Sequence, residues 1–205
     1  CGSKKKPYRK VFLGGNIGTS PLEFLAKVKR DDLVILELSS FQLQDLHKSP
    51  HVAVVLSITE DHLDHHENVS EYVDAKASIV RFQGKDDFAV INEDAVASKR
   101  FEAFTKATVA TVSTSRDIGK GGCVKSHTLY VNGEPLMSTA DLKIRGIHNI
   151  ANVLSAALVA DFFGVSHRDI AKVAAAFPGL AHRLELVGDI GGVKFYNDSA
   201  STNGD

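Results

Sequence analysis

The chain has 205 residues, 43% of them hydrophobic and 24% charged, enough to bury a substantial core in one large domain, or in one domain with part of a second. A formal net charge of -1 gives no electrostatic reason to expect nucleic acid or an anionic membrane surface as a partner. Apolar runs such as residues 53–56 pass straight into polar sequence, and the basic start Lys4-Lys5-Lys6 has no apolar stretch behind it, so neither membrane insertion nor a secretory signal is expected.

In chain order, Val11-Phe12-Leu13 reads as a strand that runs into Gly14-Gly15-Asn16-Ile17-Gly18. Residues 21–29 read as a helix with Pro21 in the first turn, where a missing N–H costs nothing. Residues 33–38 and 52–58 are near-continuous apolar runs, the texture of buried strands in a parallel sheet covered on both faces. Ser70 is a candidate N-cap for a helix through about residue 82. Residues 88–92 form another strand, followed by a helix over 95–104. Further on, Asn132-Gly133 after Leu129-Tyr130-Val131 is a two-residue hairpin signal. A helix over 149–163 stops at Gly164, and a second runs from a Ser166 cap to Phe177, ahead of Pro178-Gly179. Residues 184–196, interrupted by Gly191-Gly192, read as a closing hairpin. The pattern predicts an α/β fold: a mostly parallel sheet flanked by helices, with a small antiparallel portion.

Several of these segments carry chemistry-capable side chains. Glu37 ends an apolar strand, and in open α/β sheets ligands bind at the carboxyl ends of strands. An outward carboxylate there suits Mg²⁺, which takes oxygen ligands. The next strand runs into Thr59-Glu60-Asp61-His62-Leu63-Asp64-His65-His66-Glu67, dense in metal-capable groups. A zinc site from His62 with His65 or His66 lacks the Cys or distant His pair that would complete a tetrahedral set. The glycines of residues 14–18 let backbone N–H groups approach a ligand, although the segment lacks the Gly-Lys-Ser/Thr ending of a Walker loop. In Gly146-Ile147-His148-Asn149-Ile150-Ala151-Asn152, the two asparagines at 149 and 152 share one helix face, either to cap the helix or to hydrogen-bond a planar heterocycle. Cys1 and Cys123 have no CxxC spacing and read as free thiols of a reducing cytosol, so a cytoplasmic location is expected.

Taken in order, the turn at 14–18, Leu36-Glu37-Leu38-Ser39-Ser40-Phe41-Gln42-Leu43, Thr59-Glu60-Asp61-His62-Leu63-Asp64, Lys76, Gly146-x-His148-Asn149-x-x-Asn152, Gly179-Leu180-x-His182-Arg183-Leu184-Glu185 and Asn197-Asp198-Ser199 resemble the Mur ligases. The strings around Asn16 and Glu37 look most like the members that add D-glutamate. The resemblance implies ATP-dependent ligation of D-glutamate to a UDP-linked muramoyl acceptor in peptidoglycan synthesis, through an acyl phosphate. It implies Glu37, His62 and a carbamylated Lys76 as ligands of Mg²⁺, with His62 and Lys76 also catalytic. Asn149 and Asn152 would contact adenine, Arg183 and Asp198 the phosphates and ribose, and Asn16 and Ser39 the acceptor. Residues 1–187 would be a central ATP-binding domain, and 188–205 its end together with the start of a C-terminal domain. The family's phosphate loop would precede the turn at 14–18. It is expected upstream of Cys1, as part of a longer gene product, and the 205 residues alone are then expected to be inactive. Ala200 stands where the family has a lysine. Another Mur ligase, a folylpolyglutamate synthase-like ligase and a non-catalytic nucleotide-binding module are the alternatives.

Overall fold

The computed structural model describes residues 8–16, 18–58 and 69–201. Ile17 and the metal-capable cluster at 59–67, His62 included, lie outside the described residues. The chain divides into two compact units: Cys1–Ala89 with Ala95–Val109, and Val90–Asp94 with Ala110–Asp205.

The first unit opens with a parallel pair, β1 (Val11–Gly15) and β2 (Leu33–Glu37), in which Val11 lies opposite Leu33 and Gly15 opposite Glu37. They are joined through helix α1, Pro21–Leu25, whose buried Phe24 stacks on Phe12 with ring centroids 5.2 Å apart. The helix expected over 21–29 stops early. Lys27 and Val28 bond three residues back, and the Asp32 carboxylate takes the Lys29 N–H at 2.9 Å, turning the chain toward β2. A second correction concerns burial. β2 is a strand, but Val34, Ile35 and Leu36 are 37–48% exposed, because β1 is its only strand neighbour among the described residues.

Helix α2 (Ser40–Gln44) follows β2 and packs against α3 (Val69–Arg81). Because α3 begins at Val69, Ser70 lies inside its first turn and is not its cap. Tyr72, Val73, Ala77 and Val80 form the buried stripe of α3. The helix expected at 95–104 is a short α4, Val96–Lys99, tightened into a 3₁₀ turn at Arg100–Phe104. That tightening brings Phe101, fully buried, edge-on to Phe104. Buried Ser98 donates to the Leu56 carbonyl at 2.6 Å and accepts from the Ile58 N–H at 3.0 Å, holding the chain as it leaves strand β3 (Val52–Val55).

β3 leads a six-stranded, mostly parallel sheet in the order β3-β4-β5-β6-β7-β8, with β4 at Phe88–Asn92 and β5 at Thr108–Ser113. All five residues of β4 are buried. β6 (Gly122–Lys125) runs parallel to β5, and β7 (Thr128–Val131) and β8 (Glu134–Ser138) complete an antiparallel meander. Asn132 (φ 52°) and Gly133 (φ 87°) make the β7–β8 turn that the dipeptide predicts.

In the second unit, α5 (Ile147–Phe162) packs on β6 and β7, and α6 (His167–Ala176) packs on β8 and α5. Gly122 makes the approach of α5 possible, since a Cβ there would lie 3.1 Å from Leu154 Cβ. Ser166 caps α6 by accepting from the Asp169 N–H at 3.2 Å, as expected. The chain closes in a separate antiparallel hairpin, β9 (Glu185–Ile190) and β10 (Val193–Asn197). None of the described helices is long and apolar enough to cross a membrane.

Candidate functional site

Asn16, Glu37 and Ser39 lie at the carboxyl ends of β1 and β2. The Asn16 N–H donates to the Glu37 carbonyl at 2.7 Å, and the Gly15 N–H donates to Thr19 at 3.1 Å, closing the glycine turn. The turn requires its glycines. At Gly15 (φ 125°) a Cβ would lie 2.1 Å from the Glu37 carbonyl oxygen, and at Gly14 one would lie 2.3 Å from that of Thr19. The exposed Glu37 carboxylate has no hydrogen bond or ion pair among the described residues, so all its acceptor sites are open to a ligand.

Ser39 has a local task. Its hydroxyl accepts from the Gln42 N–H at 3.3 Å, and the Gln42 side chain accepts from the Ser39 N–H at 3.0 Å, a reciprocal cap on α2. This cap aims α2 against α3, the helix that carries Lys76. The Lys76 Nζ lies 4.6 Å from the centroid of the buried Tyr72 ring, a contact made by the ammonium form. His62 lies outside the described residues, so of the expected metal set only Glu37 and Lys76 have described positions. Among the described residues, no three His, Cys, Asp or Glu side chains form a metal-binding group.

The second unit places Asn149, Asn152 and Arg183 on one groove of about 540 Å³, formed by α5, α6 and the segment after α6. Its walls are otherwise largely apolar, with Val153, Ile170, Val173 and Phe177 among them. The two amides are oriented by their partners. Asn149 Nδ2 donates to the Arg145 carbonyl at 2.6 Å, so its Oδ1 accepts from Asn152 Nδ2 at 3.3 Å. Asn152 therefore keeps its Oδ1 and one N–H for a ligand. An apolar slot with one oriented amide suits a flat heterocycle that carries both donors and acceptors. Asp198, just past β10, accepts from the Leu184 N–H at 3.0 Å through Oδ1, which ties it to the segment bearing Arg183.

Sequence reasoning passed over Asp94, two residues beyond β4. It accepts from the Ser113 hydroxyl (2.6 Å), the Thr114 N–H (2.6 Å), the Thr114 hydroxyl (2.9 Å) and the Ser115 hydroxyl (2.8 Å). Burial opposes its ionisation, but these bonds outweigh it and hold the carboxyl below the usual carboxylate range. Neighbouring Glu93 pairs with Arg116 at 2.8 Å. The available signal was the Asn92-Glu93-Asp94 string after an apolar strand, matched with the hydroxyl run Ser113-Thr114-Ser115 after another. Its role is to join the ends of β4 and β5.

Comparison with known proteins gives a consistent picture. The family model of the Mur ligase middle domain matches residues 16–160. Over 200 residues the chain is 38% identical to a UDP-N-acetylmuramoylalanine--D-glutamate ligase of Bacillus cereus (strain AH187), covering 97% of this chain and 44% of the relative. It is 39% identical to the protein of the same name from Clostridium botulinum (strain Alaska E43 / Type E3), covering 95% of this chain and 42% of the relative. The chain thus spans less than half the length of these relatives. Among solved structures, it superposes on MurF from Acinetobacter baumannii with a TM-score of 0.68 at 17% identity, over 92% of this chain and 50% of that one. A pseudomurein peptide ligase type C from Methanothermus fervidus gives a TM-score of 0.64 at 15% identity, over 91% of this chain and 52% of that one. At such identities the two structures establish a shared fold.

Proposed function

Because this chain belongs to the Mur ligase middle-domain family, we propose that it is the central part of a longer cytoplasmic ligase that joins D-glutamate to UDP-N-acetylmuramoylalanine at the expense of ATP. In this reading residues 1–187 are the ATP-binding domain and 188–205 lead into a C-terminal domain. The observation that carries the reading is the uncommitted Glu37 carboxylate, set at the end of β2 against the glycine turn that presents Asn16. In open α/β sheets ligands bind at the carboxyl ends of strands, and Glu37 stands at such an end with no hydrogen bond or ion pair among the described residues. Identity of 38% across 97% of the chain supports the same conclusion.

The chemistry joins two anionic substrates through an acyl phosphate, so charge must be gathered and neutralised. Glu37 and a carbamylated Lys76 would offer Mg²⁺ the oxygen donors that fit that ion, with His62 adding an imidazole nitrogen. When bound, the ion would neutralise the polyphosphate and the reacting carboxylate. Carbamylation takes place on the neutral amine of Lys76, whose Nζ lies 4.6 Å from the centroid of the Tyr72 ring. Asn16 orients the acceptor, and Ser39 serves it by aiming α2. Asn152, with its amide fixed by Asn149, offers Oδ1 to the exocyclic amine of adenine and an N–H to a ring nitrogen, while Arg183 and Asp198 meet the phosphates and ribose.

The test is release of phosphate from ATP by the full-length protein. Release should require UDP-N-acetylmuramoylalanine, D-glutamate and Mg²⁺ together. Turnover with a different amino acid and none with D-glutamate would favour another Mur ligase, and no turnover with any acceptor would favour the binding module.

A further inference from the structure

The segment after α6 and the end of β10 meet at one side chain to which no role has been given. His182 adopts a left-handed backbone conformation (φ 65°), and its carbonyl accepts from the Ala200 N–H at 2.9 Å. Its own N–H donates to Glu185 Oε2 at 2.8 Å. Its ring Nδ1 lies 2.8 Å from Asn197 Nδ2. The Asn197 amide has a defined orientation, because its Oδ1 accepts from the Ser199 N–H at 3.2 Å. The amide nitrogen must therefore face the ring, and an amide nitrogen only donates. Glu185 Oε2 lies 4.0 Å from the same Nδ1, beyond hydrogen-bond distance, and is taken by the His182 N–H; Nδ1 is then the acceptor for Asn197, and the ring proton of the neutral imidazole sits on Nε2. Immediately beside this contact are the two residues assigned to the nucleotide, Arg183 on one segment and Asp198 on the other.

We propose that His182, as the neutral Nε2–H tautomer, is a positioning residue that clamps Asn197 and so fixes Arg183 and Asp198 relative to each other for nucleotide binding. This rests on the functional reading above. Without the clamp, the two segments are still joined by the β9–β10 ladder, which ends at the Glu185–Asn197 pair, and by the Leu184–Asp198 and Ala200–His182 bonds, but the side-chain restraint on Asn197, next to Asp198, is lost.

The experiment uses the full-length protein and three variants. In His182→Asn, the Asn oxygen falls near the position of Nδ1 and the residue tolerates the left-handed backbone. His182→Gln places its polar atoms near Nε2 and leaves Asn197 without an acceptor. Asn197→Ala removes the donor and leaves the His182 backbone untouched. The KM for ATP and the affinity for ATP measured by calorimetry should weaken about fivefold in His182→Gln, the effect of one lost hydrogen bond, and at least as much in Asn197→Ala, which also loses the acceptor of the Ser199 N–H. His182→Asn should stay within about twofold of wild type, and the KM for D-glutamate should not move in any variant. Nitrogen-15 NMR of the wild-type His182 ring should show Nδ1 unprotonated. Equal ATP binding by the Asn and Gln variants, or a protonated Nδ1 in the neutral ring, overturns the proposal. If wild-type protein binds no ATP, the functional reading itself fails. Amide exchange at Ser199, whose N–H is held by Asn197 Oδ1, then decides the clamp separately: faster exchange in His182→Gln but not in His182→Asn supports it, and equal exchange in both overturns it.

Discussion

Strands β2 and β4 are nearly the same sentence in sequence: an apolar run closed by a carboxylate within two residues of its end. In the structure they have opposite fates. Ala89, Val90 and Ile91 of β4 are 0% exposed, whereas Ile35 of β2 is 48% exposed. The carboxylates differ in the same direction, with Asp94 spent on four hydrogen bonds and Glu37 on none among the described residues. β4 lies inside the six-stranded order between β3 and β5, and β2 has β1 alone as its strand neighbour among the described residues. Parallel strands are normally covered on both faces, so composition alone reports what a strand is built to bury and not what covers it. The comparison also sets two acid groups apart: Asp94 joins the ends of β4 and β5 through four hydrogen bonds, and Glu37 makes none among the described residues.

The largest expected effect tests burial. Ile91→Ala should cost about 2–5 kcal/mol, through lost transfer energy and the cavity it leaves. Ile35→Ala should cost about 1 kcal/mol or less, since much of its side chain is already in water. Urea unfolding of the 205-residue chain, followed by circular dichroism, compares the two, and similar losses would erase the distinction.

The carboxylates give the next contrast. Glu37→Gln in the full-length ligase should lower kcat/KM about a hundredfold, on the order of 2.7 kcal/mol in the transition state, with no change in the melting temperature. Asp94→Asn should do the reverse, leaving kcat/KM near wild type and costing about 1–2 kcal/mol of stability, the worth of hydrogen bonds to a charged group discounted for partial exposure. Because the folded-state carboxyl of Asp94 is held low, its contribution is fully present above the ordinary unfolded value of about 3.9 and fades as pH falls through the lower folded one. The stability gap between wild type and Asp94→Asn, measured by urea midpoint, should therefore be widest near neutrality and close only below about pH 4. A gap that stays constant down to pH 2 would remove the ionised carboxylate from the account.

The smallest expected effect concerns Ala200, which is exposed at the end of the segment held by His182. In the full-length protein, Ala200→Lys should be tolerated and should lower the KM for D-glutamate or raise kcat by up to about tenfold, because it supplies a cation where carboxylates and phosphates crowd. Steady-state kinetics at saturating ATP reads this directly. A fall in kcat/KM would mean that another cation already balances the charge.

Local chemistry written into the chain determined a good deal of this molecule without help. The turns at Asn132-Gly133 and Gly191-Gly192, the Ser166 cap, the stop at Gly164 and the shared face of Asn149 and Asn152 depend on neighbours a few residues away, so the sequence contains the whole cause. The family motifs were legible for the same reason, each being a short string. Tertiary structure decided what depends on distant partners. It tightened 100–104 around the fully buried Phe101. It left Ile35 in water. It also drew Asp94 to the hydroxyls of Ser113 and Ser115 and His182 to Asn197, across separations of 15–21 residues. Burial and acceptor saturation are properties of the folded surroundings, and residues so far apart share those surroundings only once the sheet and the hairpin have formed.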